Sequence, residues 1–563
     1  MENGLKYLRN NHGAYLDKAC EYAESDDYIR ALEFCYSALK LKPNYRVYAT
    51  MASIYLDMGL YDASIKSAFK YLDKAPKEEQ GEAFITLAID YFNLGNLAVA
   101  GYYLGKKMEV DGVIEQDALD DEMLEYFSKE NPEEEKRFRL VYPLEKADYS
   151  DRHKKGKRLI ANGEFKSAIK VLESVPEGVK DYDLIADDLA IAHFLAGDVT
   201  KAIEVNRKRL KDGGRAFSTY CNLVSLYKIE GDDQKAEYYY SLAVKEDYSG
   251  TEDEYRLATT ALEMKDTARG LTLLNKVLQD RKYDDNALYL RVLACINAGQ
   301  IDGAIESLSI LKKIEPDEYL YDYYLSFTKR LLAGDESAKQ MLPLSYELDI
   351  PEKARAEFVD KMRKLTPANC QKAFSNQIFE VARWGVNNYG GNDVFAKACI
   401  LTLGSNLHKR ESELLKEKLL DNDISEELKI VMIYVLIMNG ETGKLALSTG
   451  GVFRKIKINK PNFGKDLYSA RMNSVYALCF AKSVVIGVSD LNKIAWSAQN
   501  LCEKMRSANE QDGLFFGENE LCAVIIKGCE FPYFKSFNEI CKIYGADPKI
   551  ASEIIKKMEN KND

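Results

Sequence analysis

The residues that could carry out chemistry are few and widely spaced. The four histidines stand singly, and the smallest gap between two of them is 40 residues, from His153 to His193. The segment GETGKL resembles a phosphate loop, but Met438 replaces the first glycine of GxxxxGK[ST] and Leu445 replaces the hydroxyl residue. No HExxH, GxSxG, EF-hand or zinc-ligand spacing is present. These residues predict a protein without a catalytic centre, metal or cofactor.

A regular repeat dominates the middle of the chain instead. Alanine or glycine recurs every 34 residues, at Ala168, Ala202, Ala236, Gly270, Ala304 and Ala338. Glycines run in phase with this series, at Gly163, Gly197, Gly231 and, two periods later, Gly299. A constant period of this length is typical of stacked helix pairs.

Each repeat reads as two antiparallel helices. Small residues let the paired helices approach closely, and glycine supports the turn between them. Proline ends the second helix of several units, as at Pro43, Pro76 and Pro316. Apolar residues three and four apart fill segments such as TYCNLVSLYKIEGDDQKAEYYYSLAV. We therefore predict about nine helix pairs, and no sheet, between residues 12 and 350.

This pattern resembles the tetratricopeptide-repeat superfamily over residues 12–350. The resemblance implies an all-α solenoid, a right-handed superhelix whose first helices line a concave groove for peptides or partner helices. We expect a further helical repeat region and a small C-terminal helical module after it. The predicted parts are N-terminal units at 1–108, an acidic insert at 109–150, a regular array at 151–350, irregular or HEAT-like repeats at 351–440 and the C-terminal module at 441–563.

The resemblance also assigns candidate partner-binding residues to the groove of units five to seven. They are Asn222, Ser225, Glu252, Tyr255, Arg256 and Thr259. One variant of the family clamps the C-terminal carboxylate of cytosolic chaperones, and Asn222 and Arg256 match that clamp. Asp187, Ile191 and Glu252 replace its other residues, which implies a neutral or basic-containing ligand instead. A simple ion pair between Arg256 and Glu252, one helical turn apart, is the competing interpretation.

The segment from Glu115 to Lys136 carries ten acidic residues and two lysines. It is either a docking face for a basic partner or a solvated helix and linker between two sub-arrays. Charge runs of this kind are usually solvated, which favours the linker.

The last third of the chain loses the 34-residue phase. ESELLKEKLLDNDISEELKIVMIYVLIMNG reads as two helices around a turn at Asp421–Ser425 and resembles a HEAT-type pair. GGVFRKIKINKP alternates apolar and basic residues, which predicts a short strand or hairpin. SFNEICKIYGADPKIASEIIKKM resembles a helix-turn-helix with its turn at Gly545.

Two functions fit this organisation. The favoured one is a non-catalytic scaffold that binds a protein or peptide through the solenoid. The alternative is a nucleic-acid-associated regulator with the array as sensor or dimeriser, and its candidate contacts are Arg454, Lys455, Lys457, Lys460, Lys549, Ser552, Lys556 and Lys557. The net charge of −11 disfavours non-specific binding of nucleic acid by the whole chain.

The cysteines, the first residues and the apolar runs of the chain indicate its cellular compartment. Eleven cysteines occur without a CxxC pair, which predicts reduced thiols. The first residues are polar, and no uncharged apolar run reaches the roughly 18 residues of a membrane span. The sequence therefore predicts a cytoplasmic protein with no membrane partner and no small-molecule substrate.

Overall fold

The computed structural model of the chain describes residues 12–112, 123, 150–161, 165–175, 182–213, 216–316, 318–342, 352–364, 376–387, 393–405, 407–459, 461–488, 490–507, 516–534 and 536–559. The chain divides into two compact units, Met1–Tyr346 and Glu347–Asp563. The acidic segment from Glu115 to Lys136 falls outside the described residues, apart from Met123.

Three helix pairs open the first unit. They are α1 (His12–Ala23) with α2 (Tyr28–Leu41), α3 (Tyr45–Asp57) with α4 (Tyr61–Lys74), and α5 (Gly81–Asn93) with α6 (Leu97–Asp111). A 3-10 turn at Lys77–Glu79 leads into α5. Each helix packs chiefly against its neighbours along the chain, as a stacked array requires.

Five further pairs continue the first unit. They are α7 (Ser150–Ala161) with α8 (Phe165–Leu172), α9 (Tyr182–Leu195) with α10 (Val199–Lys211), α11 (Ala216–Glu230) with α12 (Asp233–Ala243), α13 (Thr251–Glu263) with α14 (Thr267–Asp280), and α15 (Asp285–Asn297) with α16 (Ile301–Ile314). Helix α17 (Tyr319–Leu332) ends the series and is followed by a 3-10 helix, Glu336–Met341. No strand occurs among the described residues of this unit. The predicted all-α array of helix pairs is confirmed among these described residues.

The 34-residue series of small residues marks the contact between paired helices. All five of its alanines are fully buried: Ala168, Ala202, Ala236, Ala304 and Ala338. Gly270 shows why the position must be small. A Cβ atom built there would lie 2.4 Å from Cδ2 of Leu262, closer than two carbon atoms can approach. Helices α13 and α14 therefore meet without room for an added methyl group unless Leu262 moves.

The turns inside the pairs repeat as well. Gly197, Gly231 and Gly299 adopt φ of 86°, 79° and 72°, a region that glycine enters without steric cost. Lys265 stands one period after Gly231 and adopts the same conformation, with φ of 62°. The residue after three of these turns is an aspartate whose side chain caps the following helix: Asp198, Asp232 and Asp266.

The described residues of the second unit are also helical, apart from one hairpin. Its helices are α18 (Glu352–Arg363), α19 (Asn376–Val386), α20 (Asp393–Ser405), α21 (Lys409–Lys418), α22 (Glu426–Met438), α23 (Leu467–Val485), α24 (Leu491–Ser507), α25 (Glu518–Gly528), α26 (Phe537–Tyr544) and α27 (Pro548–Glu559). The two helices predicted around Asp421–Ser425 are present as α21 and α22. Their HEAT-type character and the five-part division of the chain stay predictions.

The hairpin forms where alternating apolar and basic residues predicted it. Strand β1 (Gly443–Thr449) pairs antiparallel with β2 (Val452–Ile458). Gly450 and Gly451 join the strands with φ of 56° and 77°, which suits the two-residue turns of hairpins.

The C-terminal helix pair α26–α27 also forms as predicted. Gly545 ends α26 in the left-handed conformation, with φ of 70°. Ile540, Cys541, Ala551 and Ile554 are buried, as packing of the pair requires. The resemblance of this pair to a DNA-binding helix-turn-helix stays a prediction.

Candidate functional site

The groove candidates lie on the first helices of successive pairs. Asn222 on α11 and Arg256 on α13 stand 34 residues apart, at corresponding positions, and Asp187 on α9 stands 35 residues before Asn222. Asn222 Nδ2 donates a hydrogen bond to Asp187 Oδ1 at 2.9 Å, and Arg256 Nη1 donates to Asn222 Oδ1 at 3.3 Å. Hydrogen bonds therefore connect three consecutive units across one face.

Arg209, on the second helix α10, anchors one end of this chain of bonds. Its side chain is only 4% exposed, and its Nη1 donates to Asp187 Oδ1 at 2.8 Å. Its Nε and Nη2 each donate to a carboxylate oxygen of Asp183, both at 2.9 Å. Such a bidentate pair fixes geometry as well as charge. We call Arg209, Asp183, Asp187, Asn222 and Arg256 the polar ladder.

The polar ladder neutralises itself. Its two carboxylates, on Asp183 and Asp187, balance the two guanidinium groups of Arg209 and Arg256. The side-chain amide of Asn222 is used at both ends, since it donates to one neighbour and accepts from the other. The ladder therefore carries little net charge, and the neutral or basic-containing ligand expected from the sequence stays a prediction.

The competing interpretation of Arg256 as the ion-pair partner of Glu252 is wrong. Glu252 Oε2 instead accepts hydrogen bonds from Nη1 and Nη2 of Arg281, both at 3.2 Å. Arg281 follows the end of α14, so this pair links the start of one helix pair to its end. Both side chains are exposed, and ion pairs of that kind contribute little to stability.

The other groove candidates make separate contacts. Ser225 Oγ donates to Glu263 Oε2 at 2.6 Å, and Thr259 Oγ1 donates to the carbonyl oxygen of Arg256 in its own helix at 2.8 Å. Tyr255 is half-buried, and this burial, reinforced by nearby carboxylates, raises its pKa to about 12. Its hydroxyl therefore stays protonated at neutral pH. Of the six candidates, only Asn222 and Arg256 share a hydrogen bond between side chains of different helices.

Exposed apolar side chains accompany the polar ladder. Leu184, Ile191 and Leu195 are 56%, 39% and 44% exposed on α9, and steps of three or four residues place them on the face of Asp187. Ile229 on α11 is 55% exposed, 34 residues after Leu195. Sequence reasoning missed Leu184, Leu195 and Ile229, although the 34-residue step was the available signal.

The hairpin separates the basic candidates of the alternative function. Lys455 lies opposite Ala446 and Lys457 lies opposite Lys444, so both lysines project from one face and are exposed. Arg454 projects from the other face, and its guanidinium donates to the hydroxyl of Thr449. Lys460 lies outside the described residues.

The remaining basic candidates lie on α27. Lys549 and Lys556 are exposed. Ser552 Oγ donates to the carbonyl oxygen of Pro548 at 2.6 Å, within its own helix. Lys557 Nζ lies 3.7 Å from Glu553 and 5.4 Å from the ring centre of Phe516. Two of these four side chains are thus engaged within the chain.

The residues that could carry out chemistry lie in surroundings typical of residues with a structural role. His193 is buried, and desolvation lowers its pKa. The GETGKL segment runs into strand β1, whereas a phosphate loop leads into a helix. Within the described ranges, no three or more His, Cys, Asp or Glu side chains are grouped to hold a metal ion. In the same part of the chain, no helix is long and apolar enough to cross a bilayer.

Comparison with known proteins finds likeness only among solved structures. No family model matches the chain, and no curated protein matches its sequence. Yeast Tom70 superposes with a TM-score of 0.29 at 13% identity, covering 90% of this chain and 98% of its own. Human IFIT1, solved as a dimer with PPP-AAAA, gives 0.28 at 14% identity, covering 70% and 87%.

A third solved structure is the TPR2AB domain of yeast Sti1 in complex with pHSP90. It superposes with a TM-score of 0.19 at 14% identity, covering 54% of this chain and 98% of its own. These scores are low, so the fold of the first unit rests on its own helix pairs, turns and buried small residues. By those features the described residues between 12 and 342 form an array of stacked antiparallel helix pairs.

Proposed function

We propose that this chain is a non-catalytic scaffold that binds a partner protein or peptide through the face formed by α9, α11 and α13. The observation that carries the proposal is the combination on this face of a self-neutralised polar ladder and exposed apolar side chains. Interfaces commonly join an apolar centre to a polar surround with satisfied hydrogen bonds. Leu184, Ile191, Leu195 and Ile229 supply the apolar contacts, and Asn222 and Arg256 supply the polar ones.

The partner expected for this face is a segment that presents apolar side chains and little net charge. A strongly acidic tail would find the guanidinium groups of Arg256 and Arg209 already bonded to side chains of the ladder. A segment with apolar residues three or four apart would instead match the spacing of Leu184, Ile191 and Leu195.

The test begins with affinity capture from the native cell extract and continues with the purified partner and isothermal titration calorimetry. Ile229→Ala and Arg256→Ala remove one apolar and one polar contact of the proposed face. We expect each to weaken binding by about tenfold, since loss of a central contact costs more than about 1 kcal/mol. Tyr255→Ala reports on the neighbouring half-buried ring.

Matched controls lie on second helices. Tyr238→Ala removes an exposed apolar side chain on α12, and Arg269→Ala removes an exposed arginine on α14. Both should leave the affinity within about twofold, as expected for side chains outside an interface. Equal losses in the two sets would reject this face as the binding surface.

A nucleic-acid-associated regulator is the second candidate, favoured by one observation. Lys444, Lys455 and Lys457 share the same exposed face of the hairpin without an acidic residue among them. If that face binds duplex DNA or RNA, affinity should fall steeply with added salt, because bound phosphates release counterions. Fluorescence anisotropy on the full chain should then show loss of binding in Lys455→Glu and Lys457→Glu but not in Lys504→Glu. No binding at low salt ends this candidate.

A cytoplasmic setting completes the proposal. The ten described cysteines form no disulfide, as expected in a reducing compartment. Fluorescence microscopy of the tagged full chain in its native cell tests the location, and an extracellular or envelope signal would contradict it.

A further inference from the structure

Two distant parts of the repeat array touch each other. Tyr55 on α3 donates its hydroxyl to the carbonyl oxygen of Ile314 at 2.8 Å, and Tyr36 on α2 reaches the same oxygen at 3.2 Å. The two hydroxyl oxygens are 2.8 Å apart. Residues 259 and 278 positions apart in the sequence are thereby joined. A simple stack would not make this contact, because each repeat touches only its neighbours.

Further contacts surround the two tyrosines. Helix α2 packs against α16, and Glu33 Oε1 lies 3.3 Å from Lys313 Nζ. The rings of Tyr28 and Tyr283 meet edge to face with their centres 6.3 Å apart. The first two helix pairs thus meet the eighth pair through hydrogen bonds and an ion pair, and the aromatic contact adds Tyr283 in the loop that precedes the eighth pair.

The chemistry of Ile314 explains why the tyrosines matter. Ile314 is the last residue of α16, and the last four carbonyl groups of a helix have no partner within it. Tyr55 is almost completely buried, so its hydrogen bond to this carbonyl is shielded from water. Separating the two parts of the array would expose a carbonyl and two hydroxyl groups that satisfy one another in the closed form.

We propose that this contact, formed by Tyr36, Tyr55 and Ile314 with the Glu33–Lys313 pair, is a clasp that holds the array closed and opens reversibly. Beyond the packing of α2 on α16, the contacts of the clasp among the described residues are few: one shared carbonyl, one exposed ion pair and one ring pair. Contacts of this size open locally while the rest of the fold persists. Helices α9, α11 and α13 lie between the joined parts along the chain. The state of the clasp therefore determines whether a partner binds these helices in the closed or in the open array.

Crosslinking tests whether the clasp forms in solution. In the full chain with Cys20→Ser and Cys370→Ser, the pair Glu33→Cys and Lys313→Cys should be joined rapidly by a short bismaleimide. Glu33→Cys with Lys276→Cys is the matched control, because Lys276 is equally exposed but lies on α14. We expect the first pair to react and the second not to. Equal yields from the two pairs, or none from the first, would overturn the proposal.

Removal of one hydroxyl tests what holds the clasp. Tyr55→Phe should shift the equilibrium towards the open form by about fivefold or more, since a buried hydrogen bond is lost. Tyr71→Phe is the control, because Tyr71 donates to the carbonyl oxygen of Glu79 at 2.5 Å within neighbouring units. Crosslinking of positions 33 and 313 should slow in the first variant only. Equal rates in both variants would show that the tyrosines do not hold the contact.

Access to the face formed by α9, α11 and α13 is tested without any partner, so failure here is distinguishable from failure of the scaffold proposal. Ser225→Cys on α11 reports access for a bulky maleimide-polyethylene glycol, and Tyr238→Cys reports access to the second helix α12. Tyr55→Phe should speed labelling at position 225 about fivefold and leave position 238 unchanged. Unchanged labelling at both positions would refute control of access by the clasp.

Discussion

Asp90 provides the sharpest test of the packing in the N-terminal units. The side chain lies on α5 and is fully buried, and neither carboxylate oxygen has a hydrogen-bond partner. Ser64 lies nearby, but its hydroxyl donates to the carbonyl oxygen of Ala52 at 2.9 Å. Burial, with a further contribution from Asp62, raises the pKa of Asp90 from 3.8 to about 8. The folded chain therefore holds Asp90 neutral at pH 7.

The sign of the pH dependence follows from this shift. Below pH 3.8 both the folded and the unfolded chain carry a neutral acid, so Asp90 imposes no ionisation penalty. Between pH 3.8 and about 8 only the unfolded chain ionises, and the free energy of unfolding falls by about 1.4 kcal/mol per pH unit. Over the roughly three units up to pH 7 the loss reaches about 4 kcal/mol as an upper bound, because structural relaxation reduces it.

The assay compares the wild-type chain with Asp90→Asn in thermal unfolding between pH 4.5 and 8, because the pKa of Asp90 is 3.8 in the unfolded chain and about 8 in the folded one. Asparagine is equally polar and nearly the same size but does not ionise. We expect the two chains to be similar at the acidic end and the variant to be progressively more stable as the pH rises. Asp62→Asn, which changes the neighbouring carboxylate, is the control and should show a much smaller trend. A constant difference between wild type and Asp90→Asn across the range would refute the reasoning.

Three further predictions concern the repeat and the hairpin. Lys265→Gly should raise the free energy of unfolding by about 1 kcal/mol, because Lys265 adopts φ of 62° at a cost that glycine avoids; a lower melting temperature would contradict it. Ala236→Leu should lower the free energy of unfolding by about 1–3 kcal/mol through overpacking of a fully buried contact. An unchanged melting temperature would count against the phase assigned to the 34-residue repeat. Burial lowers the pKa of Lys429 from 10.5 to about 8, so stability should rise from pH 8 to 10 and lose this rise in Lys429→Met, as denaturant titrations will show.

The helix pairs were predictable because their signals are local. A helix needs apolar residues at short spacing, and its turn needs a residue that tolerates positive φ. Gly197, Gly231 and Gly299 carry that signal openly. Lys265 lacks this signal, yet packing on both sides of the turn keeps it in the same positive-φ conformation. The period therefore survives a missing glycine because neighbouring contacts, rather than the turn residue alone, determine the turn.

The site was only partly predictable because its bonds cross between helices. The 34-residue spacing brought Asn222 and Arg256 into register, and they do meet. Arg209 was missed because its partners, Asp183 and Asp187, lie on the preceding helix, where no periodic rule relates them. The competing interpretation, an ion pair of Arg256 with Glu252, failed for the same reason. Side chains one turn apart compete with side chains from other parts of the array for the same partner. Here Arg256 bonds to Asn222, and Glu252 bonds to Arg281.

Local patterns in the sequence do not predict the clasp. Tyr36 and Tyr55 are ordinary tyrosines in a chain that has 37 of them. Their shared acceptor belongs to a residue more than 250 positions away. Contact at that distance depends on how small rotations accumulate over many units, and a repeat pattern gives each rotation only approximately. Sequence period thus predicts the unit and its neighbour, but not the meeting of distant units.

Whether a side chain bonds to a neighbouring unit or is exposed determines which variants report on binding alone. Truncating Arg209 or Asn222 breaks bonds that connect successive units, so lost binding would be inseparable from lost stability. Ile229 is more than half exposed, and its truncation leaves no buried polar group unpaired. The free energy of unfolding should therefore barely change in Ile229→Ala. A tenfold loss of affinity at unchanged melting temperature would come from the partner surface alone, because contacts with water replace contacts with the partner. Ile229 thus separates binding from folding more cleanly than any residue of the polar ladder.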